Sequence, residues 1–318
     1  MRQIIRTIID ALPSLNHKER VLINSKLSLI DDISKVCDLI EKVQEETPCC
    51  PHCHATKISK HGIRNNLQRY KCKSCHRTFN ALTNTPLARL RKKEYWLSYF
   101  DCMLDSSTIR VAANKMSINK KTSFRWRHRF ASWMYKDTPT TLNGIVEADE
   151  TYFSYSEKGT SQVFRKPHKR GSDGISRGLS KEQVPVFTAC DRLHHFVAKK
   201  AGRGTIKKDW IDTFLPPFLA KDAILVTDGL RSYKSICRER KIPHVIIESK
   251  HGRRSLGSYH IQHINSFHSR LKYWIDGKFH GVATKYLNNY LAWKHELEKE
   301  MKPTNIELFL ASYGQIHP

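Results

Sequence analysis

Acidic residues are scarce in this chain. Only 30 Asp and Glu stand against 55 Lys and Arg in 318 residues, a formal net charge of +25. The excess runs along the whole sequence and is not gathered in a tail, so it points to a polyanionic partner, because Lys and Arg release condensed counterions when they meet phosphates. No apolar run approaches the ~20 residues that a bilayer-spanning helix needs. No basic amphipathic helix stands out either, which leaves membranes aside as partners. The apolar part of Met1-Arg2-Gln3-Ile4-Ile5-Arg6 is too short and too interrupted for a signal peptide. Internal repeats and low-complexity tails are also lacking. The nine cysteines are an odd number. Five of them (Cys37, Cys49, Cys102, Cys190, Cys237) are scattered, which speaks against a disulfide framework and for a reducing cytosol.

The other four cysteines are paired. Cys50-Pro51-His52-Cys53 and Cys72-Lys73-Ser74-Cys75 have the spacing of a four-thiolate zinc site, with each sulfur ~2.3 Å from the ion. Four sulfurs leave no open position, so one structural Zn²⁺ per chain is expected. A module this small has little core, and metal binding worth ~10–16 kcal/mol would supply what folding lacks. Of the adjacent Cys49 and Cys50, only Cys50 has the required spacing to Cys53. His52, His54 and His76 read as neighbours. The inner segment, with Gln68-Arg69-Tyr70-Lys71 and Arg77-Thr78-Phe79, has β-hairpin texture.

Around this module the chain divides into further segments. Residues 1–46 read as helical, for packing or self-association, and 47–82 as the ribbon. Within 90–136, Thr108-Ile109-Arg110-Val111-Ala112-Ala113 leads through a polar turn into Thr122-Ser123-Phe124-Arg125-Trp126-Arg127-His128-Arg129-Phe130, a helix-turn-helix outline. Arg125, Arg127 and Arg129 are its candidates for reading bases. Residues 143–302 alternate strands and helices as an α/β domain, with strands expected at 144–153, 184–191, 194–200, 223–227 and 244–247. Helices are expected at about 205–219, 230–240, 261–275 and 283–301. The stretch 157–183 reads as a basic loop, and 303–318 as a C-terminal tail. Lys169 and Arg170, and Arg253 and Arg254, lie in charge runs suited to phosphate contacts that position DNA without reading it.

Two acids close buried-type strands: Asp149 after Ile145-Val146, and Asp228 after Ile224-Leu225-Val226. Carboxylates from neighbouring strands can share hard divalent cations and serve phosphodiester displacement. Downstream, His260-Ile261-Gln262-His263-Ile264-Asn265-Ser266-Phe267-His268-Ser269-Arg270-Leu271-Lys272 reads as a helix. Asn265 and Lys272 share one side of it, two turns apart. Glu150 alternates to the opposite face from Asp149 in a strand. Glu248 and Glu150 are the remaining acids to complete a metal site, and His260 and His263 the histidines to assist it.

Zinc ribbon, helix-turn-helix, Asp149, Asp228 and the His260–Lys272 segment resemble, in order, the zinc-ribbon DDE-type transposases of bacterial insertion sequences. Glu147-Ala148-Asp149-Glu150-Thr151-Tyr152 and Phe279-His280-Gly281-Val282-Ala283 resemble that family too, and the likeness runs over roughly residues 45–295. It implies a ribonuclease-H-like mixed five-stranded sheet with flanking helices. It further implies double-stranded DNA (terminal inverted repeats and target) as substrate, a homo-oligomer on DNA, and a nucleoid-associated location in the cytoplasm. By the same resemblance Asp149 and Asp228 are the first two catalytic acids, Asn265 the third position where many relatives carry Glu, and Lys272 the trailing lysine. Up to two Mg²⁺ or Mn²⁺ would support strand cleavage and strand transfer, with no small-molecule cofactor. Asn265 is neutral and offers no charge to offset a second ion. That one feature favours an alternative: a sequence-specific zinc-ribbon DNA-binding regulator with a silent nuclease-like domain.

Overall fold

The structure, a computed structural model, describes residues 3–46, 48–134, 141–160, 180–247, 255–299 and 302–313. The N-terminal apolar periodicity folds into α1 (Gln3–Ala11) and α2 (His17–Glu46), separated by a 3₁₀ turn at Leu12–Ser14 that contains Pro13. A capping box starts α2: Asn16 N–H donates to Glu19 at 2.8 Å and Glu19 N–H donates back at 3.0 Å. Val36, Cys37 and Ile40 near its C-terminal end are buried, whereas Val21, Leu22, Leu27 and Ile30 are exposed.

The ribbon is a three-stranded antiparallel sheet, β1 (Ile58–Arg64), β2 (Leu67–Cys72) and β3 (Thr78–Asn80). Asn65 and Asn66, both at positive φ, close its first hairpin, a conformation that asparagine tolerates better than most residues. Tyr70 stacks on Phe79 at 5.6 Å. Glu41 of α2 ties the ribbon to the body, accepting from Gln68 N–H at 2.7 Å and from the Tyr70 hydroxyl at 3.1 Å.

Next come α3 (Trp96–Leu104), α4 (Ile109–Lys115) and α5 (Lys120–Ala131). Thr108 caps α4 and Asn119 caps α5, so the turn between them leaves both N-termini satisfied. The expected tail contains a further helix, α10 (Asn305–Tyr313). Its Leu308, Phe309 and Tyr313 are buried, and Phe309 lies 5.7 Å from the Phe100 ring. The apolar spacing of those residues makes it part of the core, and Tyr313 hydroxyl also bonds the Ala81 carbonyl.

The α/β domain contains the expected mixed five-stranded sheet. β4 (Ile145–Ser154), β5 (Gln183–Asp191), β6 (Phe196–Lys200), β7 (Ile224–Thr227) and β8 (His244–Ile246) lie in the order β6-β5-β4-β7-β8. The first three are antiparallel, and β4, β7 and β8 run parallel. On one side lie α6 (Lys208–Phe214) and α7 (Arg231–Arg240), whose buried residues join Val146, Ala148 and Leu225. On the other lie α8 (Gln262–Lys272) and α9 (Leu287–Leu297). A short hairpin, β9 (Ser255–Leu256) and β10 (Tyr259–His260), leads into α8. The helix expected at 205–219 divides because Pro216 and Pro217 cannot continue it, and a 3₁₀ turn takes over. The helix expected at 261–275 passes into a π turn at Tyr273–Lys278.

Candidate active site

Strand order brings the two acids together. β4 and β7 pair in parallel with Glu147 level with Val226, and continuing that register sets Asp149 beside Asp228, one residue past the end of β7. The turn after Asp228 needs glycine: Gly229 has φ +89, and a Cβ there would lie 2.6 Å from Ile246. Burial first, then the Asp228 carboxylate, pushes the Asp149 carboxyl up to about 7, against the Glu150 backbone N–H and Lys272. Glu150 is likewise pushed up to about 7 by burial, Asp149 and Asp228. Its carboxylate accepts from Tyr233 of α7 at 3.4 Å. That contact puts it on the face opposite α8, as strand alternation requires.

α8 lies across β4 and β5, with Ile264, Phe267, His268 and Leu271 buried. Phe267 stacks on Phe196 of β6 at 4.8 Å. Asn265, His268 and Lys272 are spaced three and four apart, so they share one side of the helix. His268 reaches both neighbouring strands: Nε2 lies 2.6 Å from Thr188 Oγ1, and Nδ1 lies 3.8 Å from Asp149 Oδ2. Burial, then Lys272, lowers its pKa to about 4, so the ring is neutral. Asn265 is exposed.

The histidines singled out from the sequence, His260 and His263, gather on another acid. Glu147, two residues before Asp149 on the same face, is almost fully buried. Its carboxylate lies 2.8 Å from His263 Nδ1 and accepts from the Ile264 backbone N–H at 3.0 Å, at the start of α8. Ligand atoms of Glu147, His260 and His263 lie within 4.8 Å of one another. Arg192 already occupies that group, with Nη1 at 2.5 Å from Glu147 and 2.6 Å from His263. The guanidinium gives the carboxylate its countercharge, so an ion there would have to displace it. Sequence reading singled out the two histidines but missed Glu147, Arg192 and His268. Period-two alternation back from Asp149, and the step of three from Asn265, were the available signals.

In the ribbon, the sulfurs of Cys50, Cys53, Cys72 and Cys75 all lie within 4.8 Å of one another. Cys50 and Cys75 are 3.7 Å apart, and Cys53 and Cys72 are 3.6 Å apart. A tetrahedron with metal–sulfur bonds of ~2.3 Å has edges of about 3.8 Å, so the four thiols fit one such ion. Backbone N–H groups of Cys75 and Ser74 point at Cys72 and lower its thiol to about 6, while the thiols of Cys50 and Cys53 are pushed up without a metal to share the charge.

The three arginines of α5 have different surroundings. Arg125 is exposed. Arg129 donates to the Ala88 carbonyl at 3.3 Å. Arg127 is wholly buried, 4.7 Å over the Trp293 ring and 5.7 Å over Tyr99, and donates to Ser107 O at 2.8 Å. The expectation that it reads bases is therefore corrected: it falls on the packed side of α5 with Ser123, Trp126 and Phe130. A cleft of about 520 Å³ beside α5 is lined by Arg89, Arg91, Lys92, Lys121 and Arg125. Lys169, Arg170, Arg253, Arg254 and Glu248 lie outside the described residues.

Among the described residues, no helix is long and apolar enough to cross a membrane. Of solved structures, the pre-cleavage Mos1 transpososome is 13% identical, covering 70% of this chain and 80% of that one, at a TM-score of 0.24. The Mos1 strand transfer complex is 12% identical, covering 64% and 76%, at a TM-score of 0.23. In sequence, the chain is 26% identical over 249 residues to an uncharacterized protein in transposable element ISH50 of Halobacterium salinarum, covering 76% of this chain and 82% of that one. Residues 141–294 match the family model of the ISXO2-like transposase domain. Asp149, Asp228, Asn265 and Lys272, with the strands and helix that carry them, all lie inside the matched residues.

Proposed function

We propose that this protein is a DNA transposase that binds the terminal inverted repeats of an insertion sequence and carries out divalent-metal strand cleavage and strand transfer. The observation that carries the reading is the pairing of Asp149 and Asp228 on adjacent strands within the matched transposase domain. Asp149, Asp228 and the amide oxygen of Asn265 are the groups that would hold Mg²⁺ or Mn²⁺. The donor set suits a hard cation, because burial and the Asp228 carboxylate raise Asp149 and a cation between the acids would offset both. A divalent ion there supplies charge neutralisation for a phosphodiester and an activated attacking oxygen.

The chain's own residues do the rest. Lys272, whose charge reaches Asp149, would hold a phosphate oxygen beside the acids. Arg89, Arg91, Lys92, Lys121 and Arg125 form a concave cationic surface for the DNA backbone, with Lys169, Arg170, Arg253 and Arg254 as further candidates. Arg129 serves through its tie to the segment carrying Arg89. The ribbon thiols would hold one structural Zn²⁺. Several copies assembled on DNA would bring two ends together.

With Mg²⁺ or Mn²⁺ and end-sequence DNA, purified protein is expected to nick or join strands, and Asp149→Ala or Asp228→Ala to abolish this. Asn265 favours the second reading, a DNA-binding regulator with a silent nuclease-like domain. DNA binding with no scission under any divalent metal would establish that reading instead.

A further inference from the structure

Thr188 carries a single hydroxyl proton, and its Oγ1 lies 2.8 Å from the Asp149 carbonyl oxygen. A carbonyl can only accept, so that proton is committed there. The second contact of the same Oγ1, with His268 Nε2 at 2.6 Å, must then be donated by the imidazole. A ring with its proton on Nε2 presents a bare lone pair at Nδ1, and Nδ1 faces Asp149 Oδ2 at 3.8 Å. Two acceptor atoms face each other, too far apart for a hydrogen bond. The separation is short enough for both to hold one cation with bonds of about 2.1 Å each. Thr188 thereby stands to His268 as the outer partner of a metal-bound histidine does, fixing its tautomer and its orientation.

We propose that His268 is a further ligand of the divalent cation held by Asp149, and that it biases the site toward Mn²⁺ over Mg²⁺. The inference rests on the metal-site reading above and deepens it. Imidazole nitrogen is a poor donor to Mg²⁺, which prefers oxygen, and a better one to transition ions. The site thus gains a strong neutral donor one turn from Asn265. His260 and His263 are engaged at Glu147 and Arg192 and do not supply it.

The test uses full-length, zinc-loaded protein without DNA. Mn²⁺ and Mg²⁺ affinities are measured by calorimetry, and nitrogen coordination by the ¹⁴N modulation of the Mn²⁺ electron spin echo. His268→Gln places its amide near the Nε2 position, which keeps a partner for Thr188 and empties the Nδ1 position. His268→Asn places an amide oxygen near Nδ1. In His268→Gln the ¹⁴N modulation is expected to vanish, Mn²⁺ to bind about 10- to 100-fold more weakly and the Mn²⁺:Mg²⁺ preference to shrink. In His268→Asn much of the affinity returns without the modulation, and the His260→Gln/His263→Gln pair keeps both. Thr188→Val, which removes the group that orients the ring, is expected to weaken Mn²⁺ in the same direction. Metal-free melting temperatures identify any variant that has lost its fold, and Thr188→Val then carries the test if both His268 variants have.

Mn²⁺ bound through Asp149 with no ¹⁴N modulation, or with modulation unchanged in His268→Gln, overturns the role of His268 and leaves the transposase reading standing. Modulation lost only in the His260/His263 pair would place the ion at Glu147 and overturn it too. Binding that is absent, or indifferent to Asp149→Asn, overturns both.

Discussion

Asp149 and Glu150 sit side by side, one carboxyl on each face of the same strand, and burial raises both to about 7 from ordinary values of 3.8 and 4.5. A raised folded-state pKa means that the native protein holds protons the unfolded chain has released. Stability from this source is fully present below the unfolded values and is lost as pH rises through about 7. Buried His128 and His268, lowered to about 4, act in the opposite sense below about 6.5, so the acids are read by difference: without divalent metal, the melting temperature of the wild type minus that of Asp149→Asn is expected to fall as pH climbs from about 4.5 to about 7.5. Mn²⁺ at a hundredfold excess over its Kd should restore about 2.7 kcal/mol at the upper end. A wild-type-minus-Asp149→Asn difference that does not change with pH over this window would contradict the burial of Asp149.

At the scale of elements, Arg127 shows both how far the sequence reads and where it stops. The buried positions of α5 (Ser123, Trp126, Arg127, Phe130) repeat at three and four, so the stripe set by Trp126 and Phe130 already included position 127. What makes a cation tolerable there, the faces of Trp293 and Tyr99, arrives from distant segments, and no local pattern announces it. The buried strands were legible for the opposite reason. β4, β5 and β7 are covered by helices on both faces and mostly buried, and their observed limits lie within one residue of expectation. The four ribbon cysteines were legible because ligand spacing is local. His268 was not singled out, since its role depends on Thr188, a strand residue brought up by the fold.

Two guanidinium nitrogens of Arg127, Nε and Nη1, are buried without a hydrogen-bond partner. Arg127→Met keeps the apolar volume and removes that desolvated charge, so stability is expected to hold or rise. Arg127→Ala leaves a cavity between α5 and α9 and should cost about 2–4 kcal/mol in chemical denaturation. Equal destabilisation by both variants would show that the charge itself holds these helices together.

For the whole molecule, a charge of +25 predicts DNA affinity without saying where the duplex lies. The cleft beside α5 gives that charge a location. Leu87 and Leu90 are buried, while Arg89, Arg91 and Lys92 stand out from the same short segment, and α5 contributes Lys121 and Arg125 across from them. Arg89 and Lys92 both adopt positive φ, a conformation uncommon outside glycine, so the packed leucines hold the cations in a costly backbone shape. Among the described residues none of these five cations forms an ion pair with a carboxylate. Their mutual repulsion, focused by a concave wall, is relieved by a phosphate backbone. Each of Arg89→Ala, Arg91→Ala, Lys92→Ala and Arg125→Ala should therefore lower the slope of log K against log salt for duplex DNA by about 0.9. Arg127→Met should leave the slope unchanged, because its guanidinium never meets solvent. Fluorescence anisotropy across a salt series measures both. Slopes that stay put for the cleft residues but drop when exposed cations elsewhere, such as Lys221 and Arg238, are replaced would move the duplex to the α6–α7 face of the α/β domain, away from α5.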